Sequence, residues 1–205
     1  MFSAIADKYD LMNDLLSFGL HRLWKKKTVK LCKLKKGAKA LDCASGTGDI
    51  AILLADAVGE NGSVLATDIT EEMLDIAKGK ANTLLNIDFD IADVEELAYK
   101  DNTFDCCTIG YGVRNVAHLD LALKEMARVV KPNGRVVILE FGVPKGLWGL
   151  MFKFYSFYII PFVGKKVAKN FSAYKYLNDT VAAFPCGNDF LQKMHYRFLL
   201  LLNKD

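Results

Sequence analysis

Three carboxylates around a glycine turn carry the first chemical signal in this chain. Gly46-Thr47-Gly48 follows the apolar run Ala38–Ala44, with Asp42 and Ser45 at its entry and Asp68 twenty residues past Gly48. Glycine lets a backbone approach a ligand where a Cβ would collide. A helix opening at Gly48 would aim its free N–H groups into the same space. A carboxylate at the tip of the next strand can accept hydrogen bonds from both hydroxyls of a ribose. Those parts make a nucleoside pocket. Gly46-Thr47-Gly48-Asp49-Ile50-Ala51 also fits the G-x-G-x-x-G/A pattern, so NAD stays open as an alternative. Charge favours a different ligand. Asp42 would repel a pyrophosphate but suits a cation, and Asp93 follows Ile87–Ile91, where it can meet an adenine amino group. Three acids around one pocket fit the sulfonium of S-adenosylmethionine better than a doubly anionic dinucleotide.

Holding such a pocket requires strands that alternate with helices. Residues 1–36 read as helical, with Leu11, Leu15, Leu16 and Leu20 near the helical period and a break at Gly19. Strands are expected at Ala38–Ala44, Ser63–Asp68, Ile87–Ile91, Phe104–Tyr111 and Arg135–Phe141, the last after the turn Lys131-Pro132-Asn133-Gly134. Helices are expected at Gly48–Val58, at Glu71 to Asn82 behind a Thr70 cap, and at Leu119–Val130. This spacing implies an α/β fold: a mostly parallel, doubly wound, Rossmann-like sheet with an N-terminal helical extension. Ligands in such sheets sit at the carboxyl ends of the strands. The acids and the segment Gly110–Asn115 all fall there. One domain, 1–205, is expected, divided into a helical segment 1–36, a cofactor-binding core 37–141 and a lid or substrate segment 142–185.

The net charge of the 205 residues is +3, yet eight lysines crowd between Lys25 and Lys39, and without them the rest carries −5. Such a run reads first as a solvated helix face. The second reading is docking on anionic lipid, a peripheral contact at the inner membrane face. Nucleic acid is not expected, because no aromatic platform interleaves the lysines. Five cysteines without ligand spacing imply reduced thiols, no metal site and a cytoplasmic setting. Leu147–Val163 is very apolar but is interrupted by Lys153 and Pro161 and is short for a membrane span. It reads as a buried helix or lid, or as an aromatic wall for an apolar substrate.

Longer stretches carry a resemblance. Tyr9-Asp10-Leu11-Met12-Asn13-Asp14-Leu15-Leu16-Ser17-Phe18-Gly19-Leu20-His21-Arg22-Leu23-Trp24 and Arg128-Val129-Val130-Lys131-Pro132-Asn133-Gly134-Arg135 through Leu139-Glu140-Phe141 resemble two motifs of the menaquinone/ubiquinone biosynthesis C-methyltransferases. Asp101–Asp105, Gly110–Val116, Ala173–Leu177 and Phe184-Pro185 are similar to further family stretches. The resemblance implies a class I S-adenosylmethionine-dependent enzyme that methylates a ring carbon of a polyprenylated quinol, either demethylmenaquinol or a methoxy-benzoquinol. It implies Arg114 and Tyr9 at the chemistry, with Asn13, His21 and Asn115 beside the quinol. Arg114 would steady a developing phenolate or orient a water that takes the proton, since arginine is not itself a free base. For the donor it implies Thr47 in the glycine turn, Asp68 on the ribose, Asp93 with Val94 beside adenine, and the backbone of Gly110, where many relatives carry serine; Ser45, Gly46, Gly48 and Ile69 are expected at the cofactor with them.

After Pro185 the chain has only Cys186–Asp205, so the family's final strand pair is expected to be incomplete. Asn188–His195 would give a short helix, and Tyr196–Leu202 a strand whose apolar edge needs cover from lipid or from a homo-oligomer. Two other readings therefore stand beside the first: a methyltransferase for another small apolar acceptor, and a truncated, non-catalytic binder of cofactor or lipid.

Overall fold

The computed structural model describes residues 9–142, 146–155, 158, 179–181, 184 and 190. Contacts divide the chain into two compact units, one spanning Phe2–Glu140 and another from Phe141 onward. In the first, α1 (Tyr9–Ser17) and α2 (Leu20–Cys32) precede β1 (Lys39–Cys43), α3 (Asp49–Val58), β2 (Ser63–Asp68), α4 (Glu71–Lys80) and β3 (Ile87–Ile91). Then come β4 (Phe104–Gly110), a 3-10 turn (Val113–Asn115), α5 (Leu119–Val129) and β5 (Val130–Leu139).

The strands form one sheet in the order β3-β2-β1-β4-β5, every pair parallel. Parallel crossovers are right-handed. The steps β1 to β2 to β3 therefore put α3 and α4 on one face, and the opposite step β4 to β5 puts α5 on the other. Strand β1 is central, and four of its five residues are buried, as a strand covered on both faces requires. The expected α/β doubly wound sheet is what the chain forms.

Small residues bring α3 close to the sheet. Ala51, Leu54, Ala55 and Val58 pack with Ala40, Val64 and Ala66 in one core. Gly19 breaks the N-terminal segment into two helices as expected, taking a left-handed φ of 73° that only glycine adopts without cost. Two local expectations need correction. Thr70 occupies the cap of α4, yet its hydroxyl makes no capping bond. Its N–H instead donates to Asp68 Oδ1 at 2.9 Å. Lys131–Gly134 does not precede the last strand but lies inside it. Phe104 pairs with Val130 and Cys106 with Arg135, so the four residues loop out as a bulge with Asn133 at φ 65°.

In the second unit, α6 (Gly146–Phe154) exposes Leu147, Leu150, Met151 and Phe154. The expectation of a buried helix does not hold for these residues. The expected elements at 188–195 and 196–202, and the family stretch 173–177, lie outside the described residues apart from Phe190. Among the described residues no helix is long and apolar enough to cross a membrane.

Candidate functional site

The strand order reverses between β1 and β4, and ligands of such sheets bind beyond the carboxyl ends at that point. Both exits from these strands take left-handed backbone at residues that pay for it: Ala44 at φ 47° and Tyr111 at φ 58°. The two turns touch. A Cβ on Gly112 would stand 2.6 Å from the Ala44 methyl, so only glycine fits. Gly48 is as constrained, since a Cβ there would lie 2.8 Å from Ala77 Cβ and its φ is 81°. Gly46 is the opposite case. At φ 56° its Cβ would meet nothing within 4 Å, so the turn faces open space that a ligand can enter.

Asp68 closes that space on one side. Its Oδ2 accepts from Gly46 N at 2.9 Å, which puts the carboxylate against the turn. The Asp68 carbonyl accepts from Ala92 N at 3.2 Å and brings Asp93 and the buried Val94 alongside. Asp93 caps its own turn, Oδ1 accepting from Glu95 N at 2.9 Å. Ile69 is 70% exposed beside Asp68. Gly110 ends β4, where an added Cβ would strike the tip of the Ile50 side chain. An open glycine cradle bordered by carboxylates fits a cationic nucleoside, and the residues expected for S-adenosylmethionine are brought to one edge of the sheet.

Asp42 takes part from beneath. It is buried within β1, and its oxygens accept from Thr108 Oγ1 at 2.5 Å and Ser45 Oγ at 2.7 Å. Burial pushes its pKa up to about 6, against the downward pull of those two hydroxyls. Its carboxylate therefore reaches the cradle through Ser45.

The N-terminal hairpin is tied to the same turn by a charge network that sequence reasoning missed. Thr47 Oγ1 donates to Asp10 Oδ1 at 2.6 Å. Lys80 Nζ donates to Asp10 Oδ2 at 2.7 Å and also to Asp49, which accepts from Lys25 Nζ at 2.7 Å on its other oxygen. Burial favours the neutral forms of Asp49 and Lys80, but it is outweighed: Lys25 and then Lys80 pull the Asp49 pKa down, and Asp10 and then Asp49 push that of Lys80 up. Lys25 is thus a correction to the reading of the lysine run. It is 5% exposed and turned inward, while Lys26, Lys27, Lys30, Lys33, Lys35, Lys36 and Lys39 remain outside. The spacing Asp10-x3-Asp14 was visible in the sequence, but nothing marked Lys80 as its partner.

Arg114 follows β4 in the 3-10 turn, as expected, though not as an isolated cation. Its Nη1 donates to Glu140 Oε1 at 2.7 Å, and the side chains are 4% and 6% exposed. Its backbone N–H donates to Glu140 Oε2 at 3.2 Å. Glu140, which stands near the end of the second motif, thus forms a buried pair that the motif alone did not announce. On the hairpin, Asp14 accepts from Arg22 Nε at 2.7 Å and Nη2 at 2.6 Å, and pairs with His21 Nε2 at 2.8 Å. Arg22 first, then His21, hold Asp14 well below the usual carboxylate range. Three atoms among the expected quinol residues are buried with no hydrogen-bond partner among the described residues: Asn13 Nδ2, His21 Nδ1 and Asn115 Oδ1. Buried polar groups are rarely left so, which makes these atoms candidates to meet a ligand or an ordered water. Tyr9 begins α1; the expectation for its side chain lies outside the described residues.

Comparison with known proteins agrees with this geometry. The sequence model of the ubiE/COQ5 methyltransferase family matches residues 1–197. A protein of Bdellovibrio bacteriovorus named ubiquinone/menaquinone biosynthesis C-methyltransferase UbiE is 49% identical over 196 residues, 95% of this chain and 83% of its own. One of the same name from Rickettsia typhi is 46% identical, covering 97% of this chain and 86% of that protein. Among solved structures, a SAM-dependent methyltransferase from Aquifex aeolicus aligns with a TM-score of 0.54 and 29% identity over 60% of this chain and 66% of that one. The YcgJ protein of Bacillus subtilis aligns with a TM-score of 0.55 and 26% identity over 61% of this chain and 52% of that one.

Proposed function

The chain belongs to the ubiE/COQ5 methyltransferase family, and from that premise we propose that it methylates a ring carbon of a polyprenylated quinol whose hydroxyl lies against Arg114. It is an S-adenosylmethionine-dependent C-methyltransferase of quinone biosynthesis. Ser45, Gly46, Thr47 and Gly48 would hold the donor's amino-acid end, with Asp42 acting through Ser45. Asp68 and Ile69 would take the ribose, Asp93 and Val94 the adenine, and Gly110 its backbone contact. When bound, the donor supplies a methyl already activated by positive sulfur.

The remaining work falls to the protein. A ring carbon beside a phenolic hydroxyl becomes a competent nucleophile once that oxygen loses its proton. The Arg114 guanidinium, fixed by Glu140, can stabilise the phenolate that forms. Asn13, His21, Asn115 and Tyr9 would align the ring against the methyl. The single observation that carries this reading is the open cradle at Gly46 with Asp68 beside it. Incubation with methyl-labelled donor and a short-prenyl demethylated naphthoquinol or methoxy-benzoquinol, kept reduced, tests it and separates the two ring types. Label on the ring carbon is expected; label only on oxygen or nitrogen would overturn it.

Residues 1–36, 37–141 and 142–185 are read as parts of one domain working on such a substrate. Prenylated quinols reside in membrane, and the hairpin is suited to reach them. Leu11, Leu15, Phe18, Leu20 and Leu23 are exposed on it next to Lys26, Lys27 and Lys30. Apolar side chains among lysines suit the surface of an anionic bilayer, giving a peripheral enzyme at the cytoplasmic face of the inner membrane. Sedimentation with phosphatidylglycerol vesicles is expected to pull the chain down. Should vesicles leave it in solution as a dimer, a second copy covers this surface instead.

A further inference from the structure

We propose that His21 is the base that takes the hydroxyl proton of the acceptor, with Asp14 as its positioning residue. The inference rests on the quinol reading above and adds to it a proton acceptor within the protein in place of a water, since Arg114 can stabilise a phenolate or orient a water but cannot itself accept a proton.

The dyad fixes a tautomer. Arg22 grips both oxygens of Asp14, so the carboxylate is an acceptor only, and the bond at 2.8 Å needs the hydrogen on His21 Nε2. Neutral imidazole then carries its lone pair on Nδ1. That atom is buried and unpartnered, on a side chain only 3% exposed as a residue. A lone pair kept from water with nothing to accept is the expected state of a base before its substrate arrives.

The register of α2 puts this atom on the right side of the sheet. His21, Lys25, Thr28 and Cys32 form the buried stripe of the helix. Cys32 contacts Cys106 in the body of β4, and Lys25 reaches Asp49 at the first residue of α3, level with the glycine turn. Moving from Cys32 to Lys25 therefore climbs from mid-sheet to the carboxyl edge. His21 lies four residues further, about 6 Å past that edge at 1.5 Å per residue. Ligands of such sheets occupy this zone.

A second group completes the fit. Ser17 Oγ donates to the backbone carbonyl of Asn13 at 2.6 Å and accepts from the backbone N–H of His21 at 3.3 Å, so the backbones that carry the two side chains are tied at the turn between α1 and α2. Their orphaned atoms are complementary, a donor on Asn13 and an acceptor on His21. A hydroxyl satisfies both, its oxygen accepting from Asn13 Nδ2 and its hydrogen going to His21 Nδ1. In the proton step the O–H bond breaks, an Nδ1–H bond forms, and the electron pair stays on oxygen beside Arg114. Imidazolium is then stabilised by Asp14. After the ring carbon has exchanged its own proton for the methyl, with that proton released to solvent, Nδ1–H returns its proton to the oxygen.

The test uses the full chain with His21→Gln and His21→Ala. Calorimetric affinity for S-adenosylhomocysteine is expected to stay within about 3-fold of wild type in both. Ring-carbon labelling of a short-prenyl demethylnaphthoquinol should fall about 100-fold or more. Added imidazoles should restore His21→Ala in proportion to their basicity. In wild type bound to S-adenosylhomocysteine, the 15N resonance of His21 Nδ1 should move when that quinol is added. Labelling within 3-fold of wild type in His21→Gln, or rescue indifferent to base strength, overturns the inference. A resonance that does not move overturns it whatever the turnover. A resonance that moves in a wild-type chain labelling no quinol carbon sinks the quinol-methylation reading and keeps His21 as the hydroxyl contact.

Discussion

The sheet body and the α1–α2 hairpin are held by opposite means. In the body, alanines and valines of α3 meet those of β1 and β2, and charge enters at a few points, Asp42 and the Arg114–Glu140 pair among them. In the hairpin Met12 and Cys32 are buried, but elsewhere the pattern is inverted. Leu11, Leu15, Phe18 and Leu23 face outward, while Asp10, His21, Lys25 and Thr28 face the rest of the protein. Burial of apolar area stabilises the first without help. The second adds paired charges to the burial of Met12 and Cys32, and the attraction of those charges is offset by the cost of drying them. A helix pair built this way is a poor stabiliser but a good instrument. It stays attached through Thr47 and Asp49 while offering polar atoms to one ligand and apolar ones to a surface.

The sharpest way to break the comparison is to remove one partner of the buried ion pair in the body. Arg114→Ala takes the guanidinium away from Glu140, whose side chain is 6% exposed, and removing one partner of a buried pair costs about 3–5 kcal/mol. Urea unfolding is expected to show that loss. A loss below about 1 kcal/mol would mean that water reaches Glu140, and that the body tolerates charge as the hairpin does.

Asp42 is buried in the body with hydroxyls rather than a cation at its oxygens, and its effect has a sign. The folded carboxyl titrates at about 6 and the unfolded one near 3.9. Below both values each state is protonated and burial costs nothing. Between them the folded chain holds a proton that the unfolded chain has released, so stability falls as pH rises, by at most about 3 kcal/mol. Above about 6 the full cost is present. Asp42→Asn is expected to remove that slope, gaining on wild type between pH 4 and pH 7 in thermal melts. A constant difference between the two proteins across this range would show that Asp42 is not the group responsible.

Most of the body was legible in the sequence because period and punctuation are local. The runs Ser63–Asp68 and Ile87–Ile91 and the glycines at 46 and 48 declare themselves within a few residues, and the strands occur where those runs stand. Lys131–Gly134 misled because a turn signal and a bulge share residue types, and only pairing with Phe104 and Cys106 tells them apart. The site was legible in its glycines and acids but not in its pairs. Lys80 meets Asp10 across seventy positions and Glu140 meets Arg114 across twenty-six, contacts that no local pattern announces.

The hairpin's inner face can be loosened selectively. Asp10→Ala takes an acceptor from both Thr47 and Lys80, leaving Lys80 on Asp49 and Thr47 Oγ1, at a cost of about 1–3 kcal/mol for a charged hydrogen-bonded group. Hydrogen exchange is expected to quicken in residues 9–32 and to stay unchanged in residues 39–139. Faster exchange throughout would mean that the two regions fold as one and that the contrast drawn between them is false.

The outer face gives the smallest effects and the finest discrimination. Lys26, Lys27 and Lys30 make no bond to the body, so replacing any one by serine should leave thermal stability unchanged. Each replacement should instead weaken binding to phosphatidylglycerol vesicles by about 1 kcal/mol, additively and less so as salt rises. Lys25→Ser sharpens the contrast, because the same charge is removed one position away but from the inner face. It should lower stability and leave the vesicle affinity nearly as it was. If all four lysines behaved alike towards vesicles, inner and outer faces would not be distinct, and the hairpin would be a uniformly solvated helix pair.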